Sequence, residues 1–163
     1  MKKEDKQFLQ DLIEQPSPSG YEQPVAQVLR ERLSGIADEI KTDNLGSVHA
    51  LLKGSGSAPS VVIASHIDEI GFMVHYIDDD GFLYFSAVGG VDAAILPGLR
   101  VDIYATGSGK TEKLRGVLGR KPIHLLPADE RKDVTPIDKL YIDVMLDKEE
   151  VKKRVRIGDI GTF

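Results

Sequence analysis

The chain contains no cysteine in its 163 residues. That excludes disulfide staples and thiolate metal sites, and is compatible with a reducing compartment. No apolar run approaches the roughly 20 residues needed to span a bilayer. The opening segment MKKEDKQFLQDLIEQ starts with lysines but has no uninterrupted apolar core, so it does not read as a signal peptide. The expectation is a cytoplasmic protein without a membrane partner. An excess of positive charge is also missing: 21 Lys and Arg stand against 26 Asp and Glu, a net charge of -5, with both signs mixed along the chain. A nucleic-acid partner held by a broad basic surface is therefore not expected. The small cluster of Lys152, Lys153, Arg154 and Arg156 reads as a solvated helix end. No internal repeat or low-complexity tract is present.

What remains is a globular composition, 41% hydrophobic and 29% charged, in a length that suits one domain or one small domain plus part of another. Residues 3–15 place Phe8, Leu9, Leu12 and Ile13 on one helical face. PSPSG then breaks the pattern, and Val25, Val28, Leu29 and Leu33 form the stripe of a second helix. Ser19 and Glu22 have capping-box spacing, but Pro24 cannot sit deep in a helix, so the helix is expected to start a little later than the box suggests. Residues 47–53 and 60–65 read as strands, the second being VVIAS, apolar on both faces as in a central strand of a helix-covered sheet.

After Gly71 the character changes. IGFMVHYI and FLYFSAV flank DDDG, which reads as a hairpin with Asp80-Gly81 in its turn. Short apolar segments follow at 99–105, 114–118 and 140–146, and a helical pattern returns in DKEEVKKR at 147–154. Short strands with regular turns indicate a small β-barrel or β-sandwich. The expected architecture is part of an α/β domain over residues 1–70, followed by a small β-barrel-like domain from residue 71.

The segment most informative about chemistry is VVIASHIDEIG, residues 61–71. Ligand sites in open α/β sheets gather at the carboxyl ends of strands. In an extended chain His66 and Asp68 point to the same side. A neutral imidazole suits zinc or cobalt, and a carboxylate beside it can orient the ligand or a water. A hydrogen-bonded turn is the bland alternative for the pair taken alone.

PSPSGYE, SHIDEIGFMV, the GGVD of residues 89–92, LPGLRV, RGVLGRKPIHL, LYIDV and RIGD occur in an order that resembles the tetrahedral (TET-type) and glutamyl aminopeptidase family, whose members also carry cellulase or endoglucanase labels. The likeness runs along essentially the whole chain. It implies an α/β metallopeptidase domain over residues 1–70. For residues 71–163 it implies an inserted β-rich domain used in homo-oligomer assembly, with a return toward the catalytic domain. It implies a peptide substrate with a free N-terminus and two divalent ions, zinc or cobalt. His66 is then a metal ligand and Asp68 the carboxylate behind the catalytic centre, while Glu69 is structural. The family's other ligands, namely a bridging aspartate, paired glutamates, another aspartate and a last histidine, lie beyond the inserted domain. A catalytic zinc takes about three protein ligands, so the 163-residue chain by itself is expected to be inactive, with the activity belonging to a parent protein. A non-catalytic oligomerisation or peptide-binding module is the alternative. A glycosidase, which needs two carboxylates flanking a sugar, is the weaker one.

Other signals are set aside. GSGKT at 107–111 lacks the phosphate-loop glycine five positions before Gly109, where Tyr104 stands, and a strand-like LRGVLG follows. His49, His75 and His124 read as packed, surface or interface histidines. Asp78, Asp79 and Asp80 lack the spaced ligands of a calcium loop. Ser17 and Ser19 have no histidine partner arguable from spacing.

Overall fold

The computed structural model describes residues 1–56 and 59–163. The chain forms two compact units, Met1–Glu69 and Ile70–Phe163.

In the first unit, helix α1 spans Lys3–Ile13 and helix α2 spans Gln23–Ser34. Glu4 and Asp5 lie in the first turn of α1, where the helix dipole favours negative charge. Arg32 of α2 reaches back to α1, pairing with Asp5 at 3.3 Å and lying 5.3 Å above the Phe8 ring. Its guanidinium joins the two helices through both a charge and an aromatic face. Pro24 sits in the first turn of α2, where a missing N–H costs nothing, and the buried Val25 and Ala26 follow it. The helix therefore starts at Gln23, later than a Ser19 cap would place it, with Pro24 in its first turn. The capping box does not form: Glu22 is the N-cap without a side-chain cap bond, and its carboxylate accepts from Gly20 N–H at 2.6 Å.

Strands β1 (Glu39–Thr42) and β2 (Val48–Leu51) make an antiparallel hairpin. The Asp43 side chain closes its turn by accepting from the N–H groups of Leu45 and Ser47, both at 2.9 Å. The strand expected over 60–65 is not formed. Val61, Val62 and Ile63 are 86%, 87% and 94% exposed and lie outside every ladder. A central strand needs neighbouring backbone on both edges, and among the described residues no strand runs beside this segment.

In the second unit six strands close into a barrel: β3 (Gly71–Ile77), β4 (Leu83–Val88), β5 (Arg100–Ala105), β6 (Glu112–Gly119), β7 (Tyr141–Asp143) and β8 (Ile160–Thr162). Around the barrel they run β3-β4-β7-β6-β5-β8, and every pairing is antiparallel. Closure removes the free edges of a sheet. Alternation sets the interior, with Val101, Ile103 and Ala105 of β5 facing inward beside Leu114 and Leu118 of β6. Phe72 and Phe85 meet edge-to-face at 5.3 Å in this core.

The β3–β4 turn follows from its residues. Asp78 accepts from Asp80 N–H at 3.0 Å and Phe82 N–H at 2.9 Å, and Gly81 takes φ +92°. GSGKT connects β5 to β6 as another hairpin turn, with no helix after it. Helix α3 (Lys148–Arg154) begins at Asp147, whose side chain accepts from Glu150 N–H, and Val151 buries it on the barrel core. The 4% exposed Asp159 has its carboxylate fully used: it accepts from Thr106 N–H, Thr106 Oγ1–H and Arg156 N–H at 3.1, 2.6 and 2.8 Å.

Candidate functional site

His66 and Asp68 lie at the end of the exposed apolar segment, in the first unit. His66 Nδ1 is 3.0 Å from Asp68 Oδ1 and 3.0 Å from the Asp68 carbonyl oxygen. Both neighbours are acceptors, so in the neutral ring Nδ1 carries the proton and Nε2 keeps its lone pair. The His66 side chain is 84% exposed, leaving that nitrogen open to a ligand.

The supporting contacts come from far back in the chain. Ser19 Oγ donates to Asp68 Oδ2 at 2.5 Å. This hydroxyl first, and the His66 ring second, hold the Asp68 carboxyl below the usual carboxylate range. Asp68 therefore stays an anion and an acceptor. Glu69 turns the other way, accepting from Ser17 N–H at 2.9 Å and Ser17 Oγ–H at 3.2 Å. Its own N–H donates to the Ser17 carbonyl at 2.8 Å, beside a parallel bridge of Pro18 with Glu69.

A cleft of about 300 Å³ opens at this point, lined by Glu22, Gln23, Gly46, Val48, Ser65, His66 and Asp68 among others. Polar side chains make up most of its wall, beside Leu29, Leu45, Val48 and Ile67, a more polar lining than most small-molecule pockets have. Among the described residues no group of three or more His, Cys, Asp or Glu side chains is arranged to hold a metal ion. The donor set at the cleft thus fits one metal–imidazole bond, short of the roughly three protein ligands of a catalytic zinc.

The remaining histidines stand apart from this pair. His49 on β2 bonds Asp43 at 3.1 Å, and His75 on β3 meets Ser86 Oγ at 3.0 Å. His124 lies in a single 3₁₀ turn, Ile123–Leu125. The contacts of Ser17 and Ser19 were not visible in the sequence. Spacing pointed Ser19 to Glu22, whereas its partner is 49 residues away.

Solved structures similar to this chain include aminopeptidases. A TET aminopeptidase from a Thaumarchaeota archaeon of marine sediment is 33% identical with a TM-score of 0.89, covering 98% of this chain and 44% of that one. The TET1 peptidase of Pyrococcus horikoshii, which can assemble into a tetrahedron or a large octahedral shell, is 30% identical with a TM-score of 0.80, covering 97% of this chain and 46% of its own. Among curated proteins the lysyl aminopeptidase of Pyrococcus furiosus is 36% identical over 163 residues, 98% of this chain and 45% of its own. The chain belongs to the M42 glutamyl aminopeptidase family, whose model matches residues 46–163. It spans less than half the length of these relatives.

Proposed function

We propose that the protein to which this chain belongs is a metal-dependent aminopeptidase, removing N-terminal residues from peptides. In this reading His66 supplies one metal ligand and Asp68 is the carboxylate that orients it. The observation that carries it is the pair of acceptors on His66 Nδ1, at 3.0 Å each, which leaves Nε2 as a bare, exposed donor beside the cleft. The aminopeptidase relatives support the same reading. The metals would be two divalent ions, zinc or cobalt, and bound there they supply Lewis acidity, lowering the pKa of a water and offsetting oxyanion charge. What this chain's own residues do is narrower. Asp68 fixes the imidazole in the Nδ1–H form and raises its basicity at Nε2. Glu69 anchors the loop that carries Ser17 and Ser19.

With one imidazole at the cleft and no cluster of three ligands among the described residues, residues 1–163 alone are inactive in this reading. Residues 71–163 are then an inserted β-rich domain that serves assembly of a homo-oligomer and leads back toward the catalytic domain, a reading that the shells of the Pyrococcus horikoshii peptidase support. The test is expression of the complete reading frame. Cobalt- or zinc-dependent release of p-nitroaniline from aminoacyl-p-nitroanilides is expected, and His66→Ala should abolish it. No release across a panel of N-terminal residues, or release indifferent to His66→Ala, contradicts the proposal.

A further inference from the structure

We infer that Ser19 is a positioning residue for His66, acting through Asp68 to choose which imidazole nitrogen is free to bind metal. The inference rests on the reading of His66 as a metal donor and extends it to a residue of the PSPSG loop. A carboxylate on a partly exposed side chain can rotate and exchange its two oxygens. Here each oxygen has its own partner, since Oδ2 accepts from Ser19 Oγ–H at 2.5 Å and Oδ1 faces His66 Nδ1 at 3.0 Å. Fixing the first oxygen fixes the second.

Ser19 is itself held on both sides. It occupies the second position of a tight turn in which Tyr21 N–H donates to the Pro18 carbonyl at 2.7 Å. Gly20 takes the φ of +91° that the third position of a type II turn requires. One residue before that turn, Ser17 is bonded three times to Glu69, directly after Asp68 in the chain. The hydroxyl therefore reaches Asp68 from a short, doubly anchored loop.

The chemical consequence lies in the tautomer. A free neutral imidazole in water favours the Nε2–H form, which places a proton where a metal would bind. The ionised Asp68 oxygen at Nδ1 reverses that preference, and Ser19 keeps the oxygen in place. The Asp68 carbonyl oxygen, also 3.0 Å from Nδ1, is the competing explanation. If it suffices alone, Ser19 has no role.

Two-bond ¹⁵N–¹H spectra of the labelled chain, recorded where the His66 ring is neutral, separate these cases. The wild type should show Nδ1–H, with Nε2 unprotonated. Ser19→Ala should raise the Nε2–H share, changing the tautomer ratio by about 2- to 10-fold, the effect of one hydrogen bond. Ser19→Thr, which keeps the hydroxyl, should restore the wild-type pattern. A ratio unchanged in Ser19→Ala, or not recovered in Ser19→Thr, overturns the inference. Adding zinc to the same samples tests the underlying reading independently. An Nε2 resonance indifferent to zinc removes the metal-donor assignment even where the tautomer depends on Ser19. A zinc-responsive Nε2 with a Ser19-independent tautomer removes only the role of Ser19.

Discussion

Glu69 closes a ring with Ser17, 52 residues earlier: its carboxylate accepts from the Ser17 N–H and hydroxyl, and its own N–H donates to the Ser17 carbonyl. Ser17 is 6% exposed, so these partners are not readily replaced by water. Glu69→Ala should leave a buried N–H and hydroxyl unpaired, costing about 1–3 kcal/mol. Urea unfolding of the chain followed by circular dichroism measures it. A midpoint equal to wild type would show the clamp to be ornamental.

In the barrel, Gly161 on β8 stands opposite Phe72 on β3. A Cβ there would overlap the Phe72 ring and crowd the Asp102 carbonyl. Phe72 is fully buried against Phe85 and Phe163 and has no room to retreat. Gly161→Ala should destabilise the barrel by about 1–3 kcal/mol or more through overpacking. Thermal unfolding reads it out, and an unchanged transition would show that the strand can slide away.

Glu112 and Arg154 form a bidentate pair at 2.8 and 2.6 Å joining β6 to α3. The Arg154 guanidinium holds the Glu112 carboxyl below its ordinary value of 4.5. A depressed folded pKa means that the stabilisation is fully present well above about pH 4.5 and fades as acid protonates the folded carboxylate. Glu112→Gln should therefore lower stability at neutral pH and flatten its fall below pH 4.5. Denaturation midpoints at pH 3, 5 and 7 test this, and parallel curves for both proteins would contradict it.

Val61, Val62 and Ile63 present three consecutive apolar side chains almost wholly to solvent. Exposed apolar stretches of this kind drive association. The 163-residue chain should form concentration-dependent oligomers, and Val62→Lys should reduce them. Light scattering showing a wild-type monomer at high concentration would refute this.

How much could be read in advance depended on how local the determinants were. The β3–β4 turn was legible because Asp78 and Gly81 make it within five residues. Helix α3 was legible because Asp147 caps it and Val151 anchors it. Strand β8 was not: Ile160 is the single apolar side chain in its three residues, and the strand is defined by Phe72 and Asp102 across the barrel. Strand β1 escaped notice for a similar reason, with Ile40 its lone apolar residue. The run at 60–65 misled, because an apolar composition fits a central strand without guaranteeing neighbours to bond. At the site, His66 and Asp68 are two residues apart, so their spacing carried the pairing. Ser17 and Ser19 reach it over 52 and 49 residues, a distance that no local pattern encodes, and the capping-box spacing of Ser19 with Glu22 pointed elsewhere.

The most direct test is cobalt titration of the labelled chain, followed by paramagnetic broadening of the ring resonances of its four histidines. His66 should broaden first, with His49, His75 and His124 needing far more cobalt, because His66 alone combines an open Nε2 with a carboxylate-held Nδ1 beside the cleft. Uniform broadening of all four, or another histidine leading, would contradict the assignment of His66 as the metal donor.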